Sequence, residues 1–367
     1  MKMKIGIVTF HFVNNFGGAL QAYALQKAVS RICDAETEII DYRNWFIRIT
    51  DSIRLFPISG NIKEIKSGLK TMKQRYGRKN RFRNFIMTNC KLSRYYRNSI
   101  ELKISPPKYD KYICGSDQIW NPYLTCGVVN AYFLGWVKEP QDKISYAPSF
   151  GTNKTGSVFE GRMKKYLSSI SNISVREYEG IEFVEKLTGK KAIQLIDPTF
   201  LLSREDWEEI TFAPQIKGKY MLLYIMQQDE EMYSYAKRLK ERLGLQLVEI
   251  SRYGYKPDFV DISLIDIGPS EFIGLFKNAD YICTNSYHGF VFSILFEKMF
   301  CLIPCKRFRV RIENLAKLFS IELPAIEEDY EPKDMYYDKD NVKRIIETEK
   351  QKALEYLQNN LVGSQNK

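Results

Sequence analysis

The sequence predicts an α/β protein made of two successive Rossmann-like halves. Three observations lead there. Short apolar runs with the character of buried strands recur from residues 4–10 to residues 300–304. Segments of helical periodicity lie between them. Polar, often glycine-bearing turns stand where strand gives way to helix, at 11–18, 115–121 and 284–289. The alternation pauses near residue 200 and restarts at Lys219, and 367 residues suit two domains of moderate size. The expected division is 1–200, 201–345, and a helix and tail over 346–367.

In the first half, residues 4–10 form the opening strand. The loop HFVNNFGG (11–18) and a helix from Ala19 to Gln26 follow. The loop is not G-x-G-x-x-G, so it announces no dinucleotide. Gly17 and Gly18 leave room for a ligand or a backbone beside the helix start, with Asn15 next to them. Residues 38–42 are the second strand. A basic helical insertion at the edge of the first domain, about 45–103, then interrupts the pattern. Residues 109–114 form a strand that ends in Gly115-Ser116-Asp117-Gln118-Ile119-Trp120-Asn121. A carboxylate, amides and an indole in one loop suit a sugar, with hydroxyls on Asp117 and Gln118 and a ring face on Trp120. The bland alternative is a turn with a packing tryptophan. Residues 143–147 are a strand, 157–170 a helix, and 173–177 a strand delivering Arg176. That arginine's fork suits a carboxylate or phosphate, or a structural ion pair with Glu177 or Glu179. Asp197-Pro198 closes the half.

In the second half, strands are expected at 219–225, 246–250, 280–283 and 300–304, with helices at 230–243, 270–278, 290–296, 311–319 and 342–361. The turn Thr284-Asn285-Ser286-Tyr287-His288-Gly289 joins a strand to an apolar helix. Its N–H groups and hydroxyls at a helix start are ready to hold an anion. His288, one of two histidines, sits in that first turn. The rival reading is a capping turn with a structural histidine. Lys306, Arg307, Arg309 and Arg311 follow a strand and offer an anion cradle.

The net charge of +11 is concentrated. Residues 61–100 hold twelve Lys/Arg and one acid, Glu64, so the rest of the chain sums to zero. Ile62, Ile65, Leu69 and Met72 among those charges fit a basic amphipathic helix. Such a helix suits an anionic membrane surface, or is a solvated basic face over ordinary core. No nucleic-acid motif accompanies the charge, and no nucleic-acid partner is expected. Seven cysteines include no C-x-x-C pair and read as reduced, which predicts a cytoplasmic protein. Cys301 and Cys305 lack partner ligands, so no metal and no cofactor is expected. No apolar signal region opens the chain and no membrane-spanning run is present.

Six blocks in order, NNFGGALQAYALQ, GSDQIWN, SYAPSFG, SVRE, DPTFLL and TNSYHG, are similar to those of the polysaccharide pyruvyl transferase family over roughly residues 3–320. The resemblance implies two Rossmann-like domains facing a cleft, GT-B-like. It implies transfer of pyruvate from phosphoenolpyruvate to two hydroxyls of a sugar in a polysaccharide or lipid-linked oligosaccharide, giving a ketal. By position His288 matches the family's histidine at the donor site and Arg176 its first-domain arginine. The implied donor residues are Arg176, Ser286, His288, Gly289, Arg307 and Arg309. The acceptor residues expected from the loops themselves are Asn15, Gly17, Gly18, Ser116, Asp117, Gln118 and Trp120. His288, Asp117 and Arg176 form the expected catalytic set, with His288 either the general acid toward carbon or the cation that binds and protonates the departing phosphate, and Asp117 the base or positioner. One departure stands out: Asn285 replaces the aspartate many members carry three residues before the histidine. Peripheral association with the inner face of the cell membrane through residues 61–100 is also expected. The rivals are a GT-B-type glycosyltransferase using a nucleotide sugar and a non-catalytic glycan-binding or membrane scaffold.

Overall fold

The structure is a computed structural model. It describes residues 2–53, 69–151, 156–226, 230–251, 254, 256–302, 309–323 and 334–362. The chain divides into two compact units. One comprises 1–52, 83–202 and 346–367; the other comprises 53–82 and 203–345.

The first unit is built on a parallel sheet of order β2-β1-β3-β4, from β1 (Lys4–Val8), β2 (Glu36–Ile39), β3 (Lys111–Gly115) and β4 (Lys143–Tyr146). A parallel pair of short strands, β5 (Ile173–Val175) and β6 (Ala192–Gln194), continues beside it through a bridge from Ile144 to Asn172. Near-continuous apolar runs in β1 and β3 are what strands buried on both faces require. The helix Phe16–Cys33 starts where Asn15 caps it, its side chain accepting from the Gly18 N–H at 3.2 Å. It ends at Asp34, which takes a left-handed conformation (φ 43°). Trp120, Tyr132, Phe133 and Phe150 anchor the core above β3.

The second unit carries a five-stranded parallel sheet of order β11-β10-β7-β8-β9. Its strands are β7 (Tyr220–Tyr224), β8 (Gln246–Ile250), β9 (Ile262–Leu264), β10 (Tyr281–Thr284) and β11 (Met299–Leu302). The core clusters Met221, Leu223, Tyr235, Leu239, Leu247 and Cys283. The helix Tyr287–Leu295 is buried along nearly its whole length, which explains its lack of a polar face.

Two features depart from expectation. The basic segment is not an insertion confined to the first domain. Within the helix Met72–Asn89, residues up to Phe82 belong to the second unit, and Arg83 onward belong to the first. Arg75 and Arg78 lie on its buried side in the second unit, and Thr71 is buried just before it. Arg78 donates to the Ser251 carbonyl at 3.0 Å, and Arg81 pairs with Asp266 at 2.9 Å and with Glu271 at 2.5 Å. Gly77 lets that helix lie against Asp266, whose carboxylate would stand 2.6 Å from an added Cβ. Leu69, Met72 and Tyr76 are exposed, whereas Ile62 and Ile65 lie outside the described residues. The final helix, Lys339–Leu361, enters the first unit from Ile346 onward, where Tyr356 donates to the Ser145 carbonyl at 3.0 Å.

Candidate functional site

The functional candidates sit at the carboxyl ends of parallel strands, where loops and helix starts gather. In the first unit, three strand-end loops converge. The loop after β3 is the most constrained. Ser116 is wholly buried, its hydroxyl donating to the Ala147 carbonyl at 2.6 Å. Asp117 adopts a left-handed conformation (φ 58°), which aspartate tolerates better than most L-residues. Its carbonyl accepts from the Ser149 N–H at 2.8 Å. Its carboxylate lies 3.5 Å from where a Cβ on Gly18 would stand, so the glycine stretch of the first loop abuts the acid of the second. Gly17 is buried at the start of the same helix, and Asn15 caps it.

Arg176 comes to the same place from the end of β5. Its guanidinium donates to Asp197 at 2.7 Å and to Glu177 at 3.2 Å, and lies 3.9 Å from Asp117. Asp197 is fully buried and also accepts the N–H and hydroxyl of Thr199 at 3.0 and 2.7 Å. One guanidinium is therefore shared among three carboxylates. Such a cluster orients Asp117, but it blunts the arginine's attraction for a further anion.

Two acceptor candidates fare differently. Gln118 is half-buried and accepts from the Asn121 amide at 3.0 Å. Trp120 is 1% exposed. Its indole N–H donates to the Tyr132 carbonyl at 2.9 Å, one face stacks on Phe133 at 5.2 Å, and Phe150 packs 5.3 Å away. No ring face remains for a sugar, so Trp120 is corrected from an acceptor-binding residue to a core residue, and the packing alternative holds.

In the second unit, β10 ends in Thr284, whose hydroxyl donates to the Tyr224 carbonyl at 2.6 Å and accepts the Ser286 N–H at 3.1 Å. Ser286 is the N-cap of the helix Tyr287–Leu295, which places the helix's first N–H groups and His288 at the sheet's carboxyl edge. His288 is 7% exposed and its ring lies edge-on to Tyr287 at 5.1 Å. Arg311, from the helix Arg309–Leu318, sits 5.6 Å over the Tyr287 ring and brings a cation to this neighbourhood. Gly289 packs directly on Thr284, whose hydroxyl would collide with any Cβ there. This glycine serves helix-to-strand packing. Arg307 and the side chain of Arg309 lie outside the described residues. Asn285 is fully buried; its oxygen accepts the Met226 N–H at 2.7 Å and its amide nitrogen lies 3.7 Å from the Met232 sulfur.

Two groups in the first unit escaped the sequence reading. His11, the other histidine, is buried beside Asp41, its Nε2 3.0 Å from the carboxylate, and Arg43 grips the same carboxylate with two bonds of 2.7 Å. Burial raises the Asp41 pKa, but the hydrogen bonds and charges of His11 and Arg43 outweigh it and hold the group at about 2. Gln21, fully buried in the first helix, joins the loops after β1 and β3. The only signal for it was a polar side chain inside an apolar helical run.

The family model for polysaccharide pyruvyl transferases matches residues 15–307. The chain belongs to the polysaccharide pyruvyl transferase family. The match spans Asn15 and the helix it caps, the Asp117 loop, Arg176 and the His288 turn. No curated protein matches the chain by sequence. Among solved structures, a Listeria monocytogenes protein described as a UDP-N-acetylglucosamine 2-epimerase is 10% identical, with 98% of this chain and 91% of that one covered and a TM-score of 0.54. MnaA of S. aureus, solved with UDP, is 12% identical over 95% and 87% of the two chains, with a TM-score of 0.48. The glycosyltransferase SnogD from Streptomyces nogalater is 10% identical over 99% and 96%, with a TM-score of 0.39. At 10% identity the likeness to the Listeria protein speaks for fold alone. This pyruvyl transferase family member has the α/β fold of the GT-B class, with a parallel sheet in each unit. Among the described residues no cluster of potential metal ligands occurs, and no helix is long and apolar enough to cross a membrane.

Proposed function

We propose that this transferase moves pyruvate from phosphoenolpyruvate to two hydroxyls of one sugar in a polysaccharide or lipid-linked oligosaccharide, forming a cyclic ketal and releasing phosphate. The observation that carries the reading is the family match across both units, with His288 at the start of a buried helix in the second and Asp117 in a pinned loop of the first.

The donor is a small trianion. The N–H groups after Ser286, His288 beside them, and the cations at Arg307, Arg309 and Arg311 supply the opposite charge. Gly289 allows the helix to seat tightly on β10, which fixes His288 relative to Ser286. The acceptor's hydroxyls are assigned to Asp117, with Asn15, Gly17, Gly18, Ser116 and Gln118 shaping the surrounding loops. Arg176 acts with them, oriented by Asp197 and Glu177.

In the first step His288 gives a proton to the methylene carbon of phosphoenolpyruvate. The central carbon gains oxocarbenium character, and a sugar hydroxyl adds to it while Asp117 takes the hydroxyl proton. In the second step the neighbouring hydroxyl attacks the same carbon, its C–O bond forms, its proton passes to the His288 imidazole left basic by the first step, and the C–O bond to phosphate breaks. Phosphate leaves with the bonding electron pair. No residue in this scheme requires a metal or cofactor.

The test is phosphate release from phosphoenolpyruvate, measured with galactosyl, glucosyl and N-acetylmannosaminyl acceptors, free and lipid-linked. Acceptor-dependent release with a ketal product in mass spectrometry supports the reading. Absence of release with every acceptor, together with nucleotide-sugar binding, would overturn it in favour of a glycosyltransferase.

Membrane association is part of the same reading. Leu69, Met72 and Tyr76 are exposed beside Lys70 and Lys73, an apolar strip edged with cations. Binding to phosphatidylglycerol vesicles at low salt, weakened in a Lys70→Glu, Lys73→Glu variant, is the expected outcome; equal recovery of both proteins in the supernatant would remove this part.

A further inference from the structure

We infer that Gln21 is a positioning residue of the reaction centre. It sets the acceptor loop around Asp117 by tying the end of β1 to the end of β3. The inference rests on the pyruvyl transfer reading and extends it to a residue that touches neither donor nor acceptor.

Gln21 lies one turn into the helix Phe16–Cys33 and is fully buried. A primary amide there would be costly unless its polar atoms were met. They are met on both sides. The Nε2 group donates to the Thr9 hydroxyl at 2.9 Å, the Gly18 carbonyl at 3.0 Å and the Phe10 carbonyl at 3.1 Å. The Oε1 atom accepts the Ser116 N–H at 3.2 Å. Thr9 completes the link, its hydroxyl lying 3.3 Å from the Ser116 carbonyl. The amide of Ser116 is thus bound on its N–H by Gln21 and on its carbonyl by Thr9, immediately before Asp117.

That placement has a consequence for Asp117. Its backbone sits in the left-handed region, and its carbonyl is pinned by Ser149 on the far side. The conformation is therefore held from two directions, by Gln21 and Thr9 through Ser116, and by the loop after β4. The same Gln21 amide fixes the Gly18 carbonyl, and the Gly18 Cα faces the Asp117 carboxylate. One side chain consequently sets both the glycine floor and the acid above it. A glutamine suits this task because it presents donors and an acceptor from one rigid plane. Glutamate would keep the acceptor for Ser116 and turn the other oxygen against two carbonyls. Methionine would fill the space with no directional bond at all.

The experiment uses the full-length protein and steady-state phosphate release, with phosphoenolpyruvate and acceptor varied separately. Gln21→Met and Gln21→Glu are expected to raise the acceptor KM and lower kcat, reducing kcat/KM for the acceptor about 10- to 100-fold. The KM for phosphoenolpyruvate is expected to stay at the wild-type value. A purely structural role would lower only the folded fraction, cutting kcat while leaving both KM values in place. Thr9→Val removes a single link and is expected to move the acceptor KM in the same direction by a smaller factor; it serves if Gln21 variants fail to fold. An unchanged acceptor KM in Thr9→Val and in any soluble Gln21 variant overturns the inference. A wild-type protein without acceptor-dependent release overturns the underlying reading, and the inference with it.

Discussion

The strand-end loops of the two units meet the same problem with opposite means. In the first unit, Asp117 is held by its neighbours on every side: Gln21 and Thr9 before it, Ser149 behind it, and Arg176 beside its carboxylate. In the second, His288 hangs from the start of one buried helix, positioned by backbone and by packing of Gly289 on Thr284. The first edge is rich in carboxylates around one guanidinium. The second offers helix N–H groups and, in Arg311, a cation. An edge of fixed acids suits neutral hydroxyls that must lose protons. An edge of N–H groups and cations suits an anion. The proposed division of labour, acceptor at the first edge and donor at the second, rests on this contrast.

The contrast breaks most visibly at His288. His288→Ala is expected to lower kcat about 10²- to 10⁴-fold with the thermal midpoint little changed. Turnover close to wild type would take the histidine out of the mechanism. Asp117→Asn keeps the shape of the loop and removes the base. About a hundredfold loss of kcat is expected, with the KM for phosphoenolpyruvate unaffected. A rise in the donor's KM instead would place Asp117 with the donor and dissolve the division.

Much of this was legible in the sequence. The strand-to-helix turns at Gly18, Asp117 and His288 announced the carboxyl edges, because apolar runs and polar turns report what buried parallel strands need. The short strand β9 carried too little pattern to be anticipated; the helix Tyr178–Thr188 was not anticipated although Ile181, Val184 and Leu187 recur at helical spacing. Trp120 misled because an indole in a polar loop reads the same whether its face meets a sugar or Phe133; only packing decides. The basic segment misled for a related reason. Charge counts cannot distinguish Arg78, which is spent on the Ser251 carbonyl, from Lys73, which faces water. His11 was silent, and Gln21 showed only as a polar side chain in an apolar run, because hydrogen bonds between distant loops leave no local periodicity.

His11, Asp41 and Arg43 sharpen the comparison on stability. Asp41 has its pKa held near 2 against an ordinary 3.8, so its ion pairs favour the folded state. A shift of that size corresponds to about 2 kcal/mol. The folded pKa is depressed, so this stability is full above about pH 4 and is lost as pH falls toward 2. Asp41→Asn should cost about 2 kcal/mol at pH 7 in denaturant unfolding, and the difference from wild type should vanish near pH 2. A gap that persists at pH 2 would assign the cost to packing rather than charge.

The smallest expected effect concerns Asn285. Its oxygen accepts the Met226 N–H, and its amide nitrogen faces the Met232 sulfur, in a site without solvent exposure. Asn285→Asp preserves the acceptor and introduces a charge that water cannot reach. Burial raises the folded pKa of such a carboxyl above its unfolded value, so the penalty applies at neutral pH and fades as pH falls through the folded pKa. A loss of about 1 kcal/mol at pH 7, shrinking toward pH 4, is expected. The catalytic outcome is informative in its own right, because the position lies one helical turn before His288. If the substituted carboxyl ionises at neutral pH, its negative charge favours imidazolium, and the alkaline limb of the kcat profile should move to higher pH. A profile superimposable on wild type would mean that the buried position holds the loop after β7 in place and does not tune the histidine.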